Sequence, residues 1–157
     1  MNIALVYATN SGNTYVVAGI IKEMLLSAGH QVDIASALDA DPNILKDKDL
    51  ILLGSSSWDW QSETEGRLEG HPLLSMKRFL EKIKDASLAN HKVALFGCGD
   101  TDFQHFCGAV DHLSQFVDDH GGKEITKPLR VDKFYIDINA KMEQVKAWAK
   151  DLAGKLS

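Results

Sequence analysis

The sequence predicts an α/β fold: a doubly wound, five-stranded parallel sheet in strand order 2-1-3-4-5, sandwiched between helices as a three-layer unit. Three observations predict it. Strand-like apolar runs alternate with helix-like stretches along the whole chain. The runs Leu50-Ile51-Leu52-Leu53 and Val93-Ala94-Leu95-Phe96 are continuous rather than alternating, as in strands covered on both faces. The polar, glycine-containing segments 9–14, 55–71 and 98–103 each follow a strand. In such sheets ligands bind beyond the carboxyl ends of the strands, where the strand order reverses.

The elements follow in order. Ile3-Ala4-Leu5-Val6-Tyr7-Ala8 is unbroken, apolar and partly β-branched, and predicts the first strand over 2–8. A helix over 12–28 ends at Gly29, where a C-terminal glycine belongs. A second strand is expected at 31–35. Asp41 before Pro42 reads as an N-cap with proline at the first helical position. The third strand is expected at 48–54, and Pro72 is read as opening a helix over 72–84. The fourth strand falls at 91–97, and a helix over 104–120 ends at Gly121-Gly122. The run from Ile125 to Val131 contains Pro128 and more polar residues, which suits an edge strand near 124–131. A last helix spans 137–156, where Met142, Val145, Trp148, Ala149 and Leu152 form a packing stripe.

Composition narrows the function. At 157 residues the chain is expected to be one domain, 1–157, with a substantial core. No apolar run of membrane-spanning length is visible, and no basic-then-apolar leader. Cys98 and Cys107 are too few for a disulfide framework, so a reducing cytoplasm is expected. The net charge of −5 argues against a nucleic-acid partner. That charge is localised: segments 55–70 and 98–107 hold Asp59, Glu63, Glu65, Glu69, Asp100 and Asp102 against Arg67 alone, leaving the remainder neutral. The six histidines are scattered. His105 and His112, seven apart, are expected on one face of a helix without the further ligands that a metal site needs. A G-x-S-x-G elbow is absent around Ser55-Ser56-Ser57. Thr9-Asn10 stands where a phosphoacceptor domain of the same strand order needs an acidic pair.

The first loop, Thr9-Asn10-Ser11-Gly12-Asn13-Thr14, offers hydroxyls, amides and a glycine but no lysine or arginine. A nucleoside triphosphate site would need G-x-x-x-x-G-K-[ST]. The loop instead suits one monoester phosphate held by side-chain donors and the N–H groups of a helix first turn. The second loop opens Ser55-Ser56-Ser57-Trp58-Asp59-Trp60, where two tryptophans on a polar connection offer a flat surface to a planar ligand.

The third loop, Phe96-Gly97-Cys98-Gly99-Asp100-Thr101-Asp102-Phe103-Gln104-His105-Phe106-Cys107-Gly108, resembles the flavin-ring loop of the flavodoxins. The first loop resembles their phosphate loop, [ST]-x-[ST]-G-x-T, and Ser55-Ser56-Ser57-Trp58 looks like the start of their second ring loop. The resemblance covers the chain and points to the short-chain branch. It implies a flavodoxin-like fold, non-covalently bound flavin mononucleotide (FMN), and low-potential electron transfer between redox proteins. Thr9, Asn10, Ser11, Gly12, Asn13 and Thr14 would hold the phosphate, with Ser56 closing over it. Trp58 would cover one ring face, with Trp60 as the alternative. Phe103 would cover the other, where the family usually has tyrosine. Asp100 and Cys107 would offer backbone amides to the pyrimidine carbonyl. Ser57, Asp59, Cys98, Gly99 and Phe106 complete the implied site. Asp59 stands where the family usually has a glycine whose peptide bonds the reduced ring.

Carboxylates near the ring oppose the anionic, fully reduced flavin. At ~10 Å and an effective dielectric of 20–80, each costs on the order of 0.4–1.7 kcal/mol. Asp59, Asp100 and Asp102 are therefore expected to lower the second potential, and the acidic rim to steer basic partners to the ring edge. A monomeric carrier is expected. The alternative is an FMN-dependent reductase of a small acceptor such as a quinone, which needs a pocket over the ring.

Overall fold

A computed structural model describes residues 1–62, 66–102 and 105–157, with the backbone alone described along 58–62 and 66–69. The elements run β1 (Asn2–Ala8), α1 (Asn13–Ser27), β2 (Gln31–Ser36), a 3-10 turn (Pro42–Leu45), β3 (Leu50–Ser62), β4 (Gly66–Pro72), α2 (Leu74–Ile83), β5 (Lys92–Gly99), α3 (Gly108–Asp119), β6 (Lys123–Glu124), β7 (Leu129–Asp132) and α4 (Ile138–Leu156). The sheet order is β2-β1-β3-β5-β6, with β7 also on β5 and β4 on β3. Every pairing is parallel except β3 with β4. The expected α/β architecture and the 2-1-3-4-5 order are both present.

The core explains why the strands read as continuous apolar runs. Leu50 and Leu52 pack with Ile3, Leu5 and Ala94 under α1 and α4, against Val17, Ile21, Val145 and Leu152. Their neighbours Ile51 and Leu53 pack on the other face with Val6, Val93 and Leu95, under Met76, Phe79 and Ile83 of α2 and Val110, Leu113 and Val117 of α3. Successive strand residues point to opposite faces, so a sheet covered twice needs apolar residues at every position. Met76, Phe79 and Ile83 recur at the three- and four-residue spacing that puts them on one helix face. The N-cap expected at Asp41 is present, its carboxylate accepting from the Asn43 N–H at 2.8 Å.

Four expectations are corrected. The fifth strand is two short pieces on one edge: β6 pairs with Lys92 and Val93, and β7 with Phe96 to Gly99. Pro128, which has no N–H for the ladder, lies in the gap. Within the segment 55–71, expected to be a loop, the described residues 55–62 and 66–71 are in strands. β3 runs on to Ser62 and pairs with β4, antiparallel, with a register shift between Trp58 and Trp60. Pro72 does not open α2; it closes β4, and α2 starts at Leu74. Finally, α3 starts at Gly108 rather than near 104, because Cys107 adopts the left-handed φ of 50° and interrupts any helix before it. His105 therefore precedes the helix that carries His112, and the two do not share a helix face.

The end of β4 lies directly on the turn before α3. A Cβ on Gly108 would stand 2.4 Å from the Gly70 carbonyl oxygen, and one on Gly70 2.4 Å from the His105 Cβ. Neither position admits a side chain without moving backbone. In contrast, a Cβ on Gly154 in α4 meets nothing within 4 Å. Gly108→Ala is expected to destabilise the apo-protein by about 2 kcal/mol through overpacking, and Gly154→Ala to stabilise it by about 0.5–1 kcal/mol through helix propensity. Urea denaturation followed by circular dichroism checks both signs.

Candidate functional site

The strand order brings β1, β3 and β5 side by side in parallel, and the described ones among the expected site residues follow or end these strands. After β1 the chain turns through Thr9, whose hydroxyl accepts the Gly12 N–H at 3.0 Å. Gly12 takes φ +93° as N-cap of α1, a conformation that suits glycine, and a Cβ there would meet nothing within 4 Å. Among the described residues no side chain caps this helix, and its first turn holds no acidic residue. The first-turn N–H groups thus have no side-chain cap among the described residues, and the helix dipole there favours an anion.

Thr14 is fully buried, and its hydroxyl shares a 2.6 Å hydrogen bond with that of Ser56. This contact joins the first loop to β3, 42 positions away. Ser55, also buried, donates to the Ser56 carbonyl at 2.8 Å and accepts the Leu73 N–H at 3.1 Å, tying β3 to the start of α2. Ser57 accepts the Ala109 N–H at 3.0 Å and so fixes β3 to the first turn of α3. Three consecutive serines thereby lock three different segments, which their spacing in sequence does not reveal.

The third loop leaves β5 at Gly99. A Cβ on Gly99 would come 2.9 Å from the Cys107 nitrogen, so the two ends of the loop are in close approach. Cys98 and Cys107 are buried on opposite faces of the sheet. Burial pushes the Cys98 thiol up to about 11, despite its hydrogen bond to Thr14. Burial, with the neighbouring Cys98, pushes Cys107 up to about 12. The Cys107 carbonyl accepts from Arg130 Nη1 at 3.1 Å, while Nη2 of the same side chain bonds Asp111 at 2.7 Å. Phe106 is half-buried against the α2–α3 side of the core. Trp58 and Trp60 pair through their backbones with His71 and Leu68 of β4. The side chains of Trp58, Asp59 and Trp60, and all of Phe103, lie outside the described residues.

Asp100 and Asp102 are not a bare acidic rim. Lys133 Nζ lies 3.0 Å from Asp102 and 3.8 Å from Asp100. The other Asp100 oxygen accepts the Tyr135 hydroxyl at 2.9 Å. Asp132 accepts both the N–H and the hydroxyl of Thr101, each at 2.9 Å. The connection between β7 and α4 is thus a fourth wall of the site, and sequence reading missed it. The signal was available: this connection also follows a strand at the carboxyl edge, and Asp132-Lys133 stands at its start. No cluster of three or more metal-ligating side chains occurs among the described residues.

A largely parallel α/β sheet with an uncapped helix start at its carboxyl edge, free of acidic residues in its first turn, suits a ligand carrying an anionic group. The family model for flavodoxins matches residues 5–148. The flavodoxin of Nitratidesulfovibrio vulgaris is 29% identical over 149 residues, 94% of each chain. Probable flavodoxin 2 of Bacillus subtilis is 32% identical over 131 residues, 83% of this chain and 81% of that one. The crystal structure of oxidised flavodoxin 2 from Bacillus cereus superposes with a TM-score of 0.85 at 28% identity, over 99% of both chains. The chain belongs to the flavodoxin family, in its short-chain branch. It is accordingly an FMN-binding electron carrier serving redox partner proteins, and a reductase reading is not favoured. No helix among the described residues is long and apolar enough to cross a membrane.

With both thiols this far above neutral, thiolate is negligible at pH 8. The native protein is expected not to react with a disulfide reagent at pH 8, and to show two reactive thiols in urea. Because the folded thiols bind their protons more tightly than the unfolded ones, stability is full below the unfolded value near 9 and falls as pH rises from there towards 11–12. Urea midpoints from pH 8 to 10.5 check the sign.

Proposed function

We propose that the whole chain acts as one FMN-binding unit whose cofactor lies along the carboxyl edge, phosphate at residues 9–14 and ring between the second and third loops. The observation that carries this is the uncapped α1 start beside the 2.6 Å contact of Thr14 with Ser56. It brings a cluster of neutral donors to the point where strand order reverses. Thr9, Asn10, Ser11, Gly12, Asn13 and Thr14 surround the phosphate, and Ser56 closes over it. Asp100 and Cys107 present backbone N–H groups to the pyrimidine edge. Trp58 (with Trp60 as the alternative) and Phe103 exclude water from the two ring faces; each such aromatic stack adds about 0.5–1.5 kcal/mol beyond area burial. Ser57 positions α3, Gly99 permits the close return of Cys107, and Cys98 and Phe106 pack beneath the loop. Asp59 falls at the register shift of β3.

Bound FMN supplies a ring that takes electrons from one redox protein and passes them to another. The chain's residues hold the phosphate, shield the ring faces and leave one ring edge for partners. Donor and acceptor dock at that edge, on a monomer, in the cytoplasm. Lys133 offsets one of the two charges of Asp100 and Asp102, and in sequence Asp59, Glu63, Glu65 and Glu69 add further negative charge against Arg67. Association with a basic partner slows as salt rises.

Thr14→Val removes one donor while keeping the side-chain shape. It is expected to raise the dissociation constant for FMN about 10–100-fold, the worth of one hydrogen bond to a charged group. Quenching of FMN fluorescence on titrating apo-protein reads this directly; unchanged affinity contradicts the phosphate assignment. Reduction by dithionite but not by NADPH alone is the carrier's expected behaviour, while quinone turnover with NADPH supports the reductase.

A further inference from the structure

Lys133 occupies an unusual place. Its backbone takes φ +45°, a left-handed conformation that costs lysine on the order of 1–2 kcal/mol. The residue is held there by its N–H, which donates to the Gly99 carbonyl at 2.9 Å, and its ammonium reaches back over the third loop to Asp102 and Asp100. Of these carboxylates, Asp100 also has partners other than the lysine. Asp100 accepts the Asp102 N–H at 2.8 Å and the Tyr135 hydroxyl at 2.9 Å. At Asp100 the lysine is not needed to complete the hydrogen bonds, so what it adds there is a positive charge, while at Asp102 it supplies both the charge and a hydrogen bond.

We propose that Lys133 sets the charge felt by the flavin ring, raising the reduction potential that Asp100, Asp102 and Asp132 would otherwise depress. This deepens the proposed function and rests on the ring lying against residues 98–102. A cation beside the ring favours the more negative, reduced cofactor; removing it leaves three carboxylates facing that charge. Hydrogen bonding to Asp102 holds the Lys133 ammonium above its usual range, so the charge persists across physiological pH. On the far side Asp132 also faces Lys141, and Arg130 is engaged with Asp111 and the Cys107 carbonyl. Lys133 is the cation that salt-bridges Asp100 and Asp102 among the described residues.

The test compares affinity for oxidised and for fully reduced FMN, alongside the two-electron midpoint potential. Lys133→Gln is expected to weaken binding of reduced FMN about tenfold more than that of oxidised FMN, equivalent to about 30 mV downwards for a two-electron couple. Asp102→Asn is expected to shift the ratio the other way. The double variant Asp102→Asn with Lys133→Gln returns close to the parent, because it removes opposite charges together. Lys133→Arg also stays close to the parent, and all shifts shrink at high salt. Lys133→Asn, whose residue tolerates positive φ better, replaces the glutamine variant if that one folds poorly. An unchanged ratio, or equal weakening of both forms, overturns the proposal by leaving Lys133 a merely structural clasp. If the parent binds no FMN, both this and the proposed function fall; if it binds and the ratio stays put, only the role of Lys133 falls.

Discussion

Leu50, Ile51, Leu52 and Leu53 are all sealed from water on consecutive positions of β3, so the sheet must be covered on both faces by helices. Once both faces are closed, the strand ends are the main place left for polar loops to meet a ligand. Parallel strands put their carboxyl ends together, and the crossovers from β1 and β3 run to opposite sides. The gap between those two crossovers is where the first helix turn, Ser56 and the third loop converge. Packing deep in the sheet thus dictates where chemistry can occur, and the hydroxyl contact of Thr14 with Ser56 pins the two sides of the gap together.

The two ends of the site use different physics. The proposed phosphate end offers dipoles: N–H groups of an uncapped helix and uncharged side chains, with no lysine or arginine between 9 and 14. Dipoles fixed by the fold bind an anion without placing a mobile counter-charge beside it. The proposed ring end is built from charge. Asp100 and Asp102 stand there with Lys133, and Asp132 holds Thr101. A neutral anchor lets the ring end be tuned without altering the anchor, since exposed charges beyond about a Debye length are largely screened.

Much of this was legible in the sequence, because it rests on local pattern. The continuous apolar runs revealed a sheet covered twice, glycines marked the helix ends, and the first loop announced an anion site by its donors and its missing lysine. What was not legible is non-local. The hairpin β3–β4 hides in a segment whose polar, tryptophan-containing pattern reads as a loop; its strand character comes from pairing 57–62 with 66–72. The split of the fifth strand depends on where Pro128 falls against β5, a matter of register. Summing charges by segment suggested a rim with a net charge of −5. Lys133 lies 31 positions beyond Asp102 in the chain, yet its ammonium sits beside that carboxylate. Charge counted along a chain misleads wherever the fold brings the counter-ion from elsewhere.

The central claim is that neutral donors at the start of α1 supply most of the anchoring. Titration of apo-protein with FMN and with riboflavin, which differ only by the phosphate, tests it most directly. Three or more hydrogen bonds to a charged group, each worth about 1.5–3 kcal/mol, predict that riboflavin binds roughly a thousandfold more weakly or worse. Equal affinity for the two would contradict the account, because the ring loops alone would then be holding the cofactor.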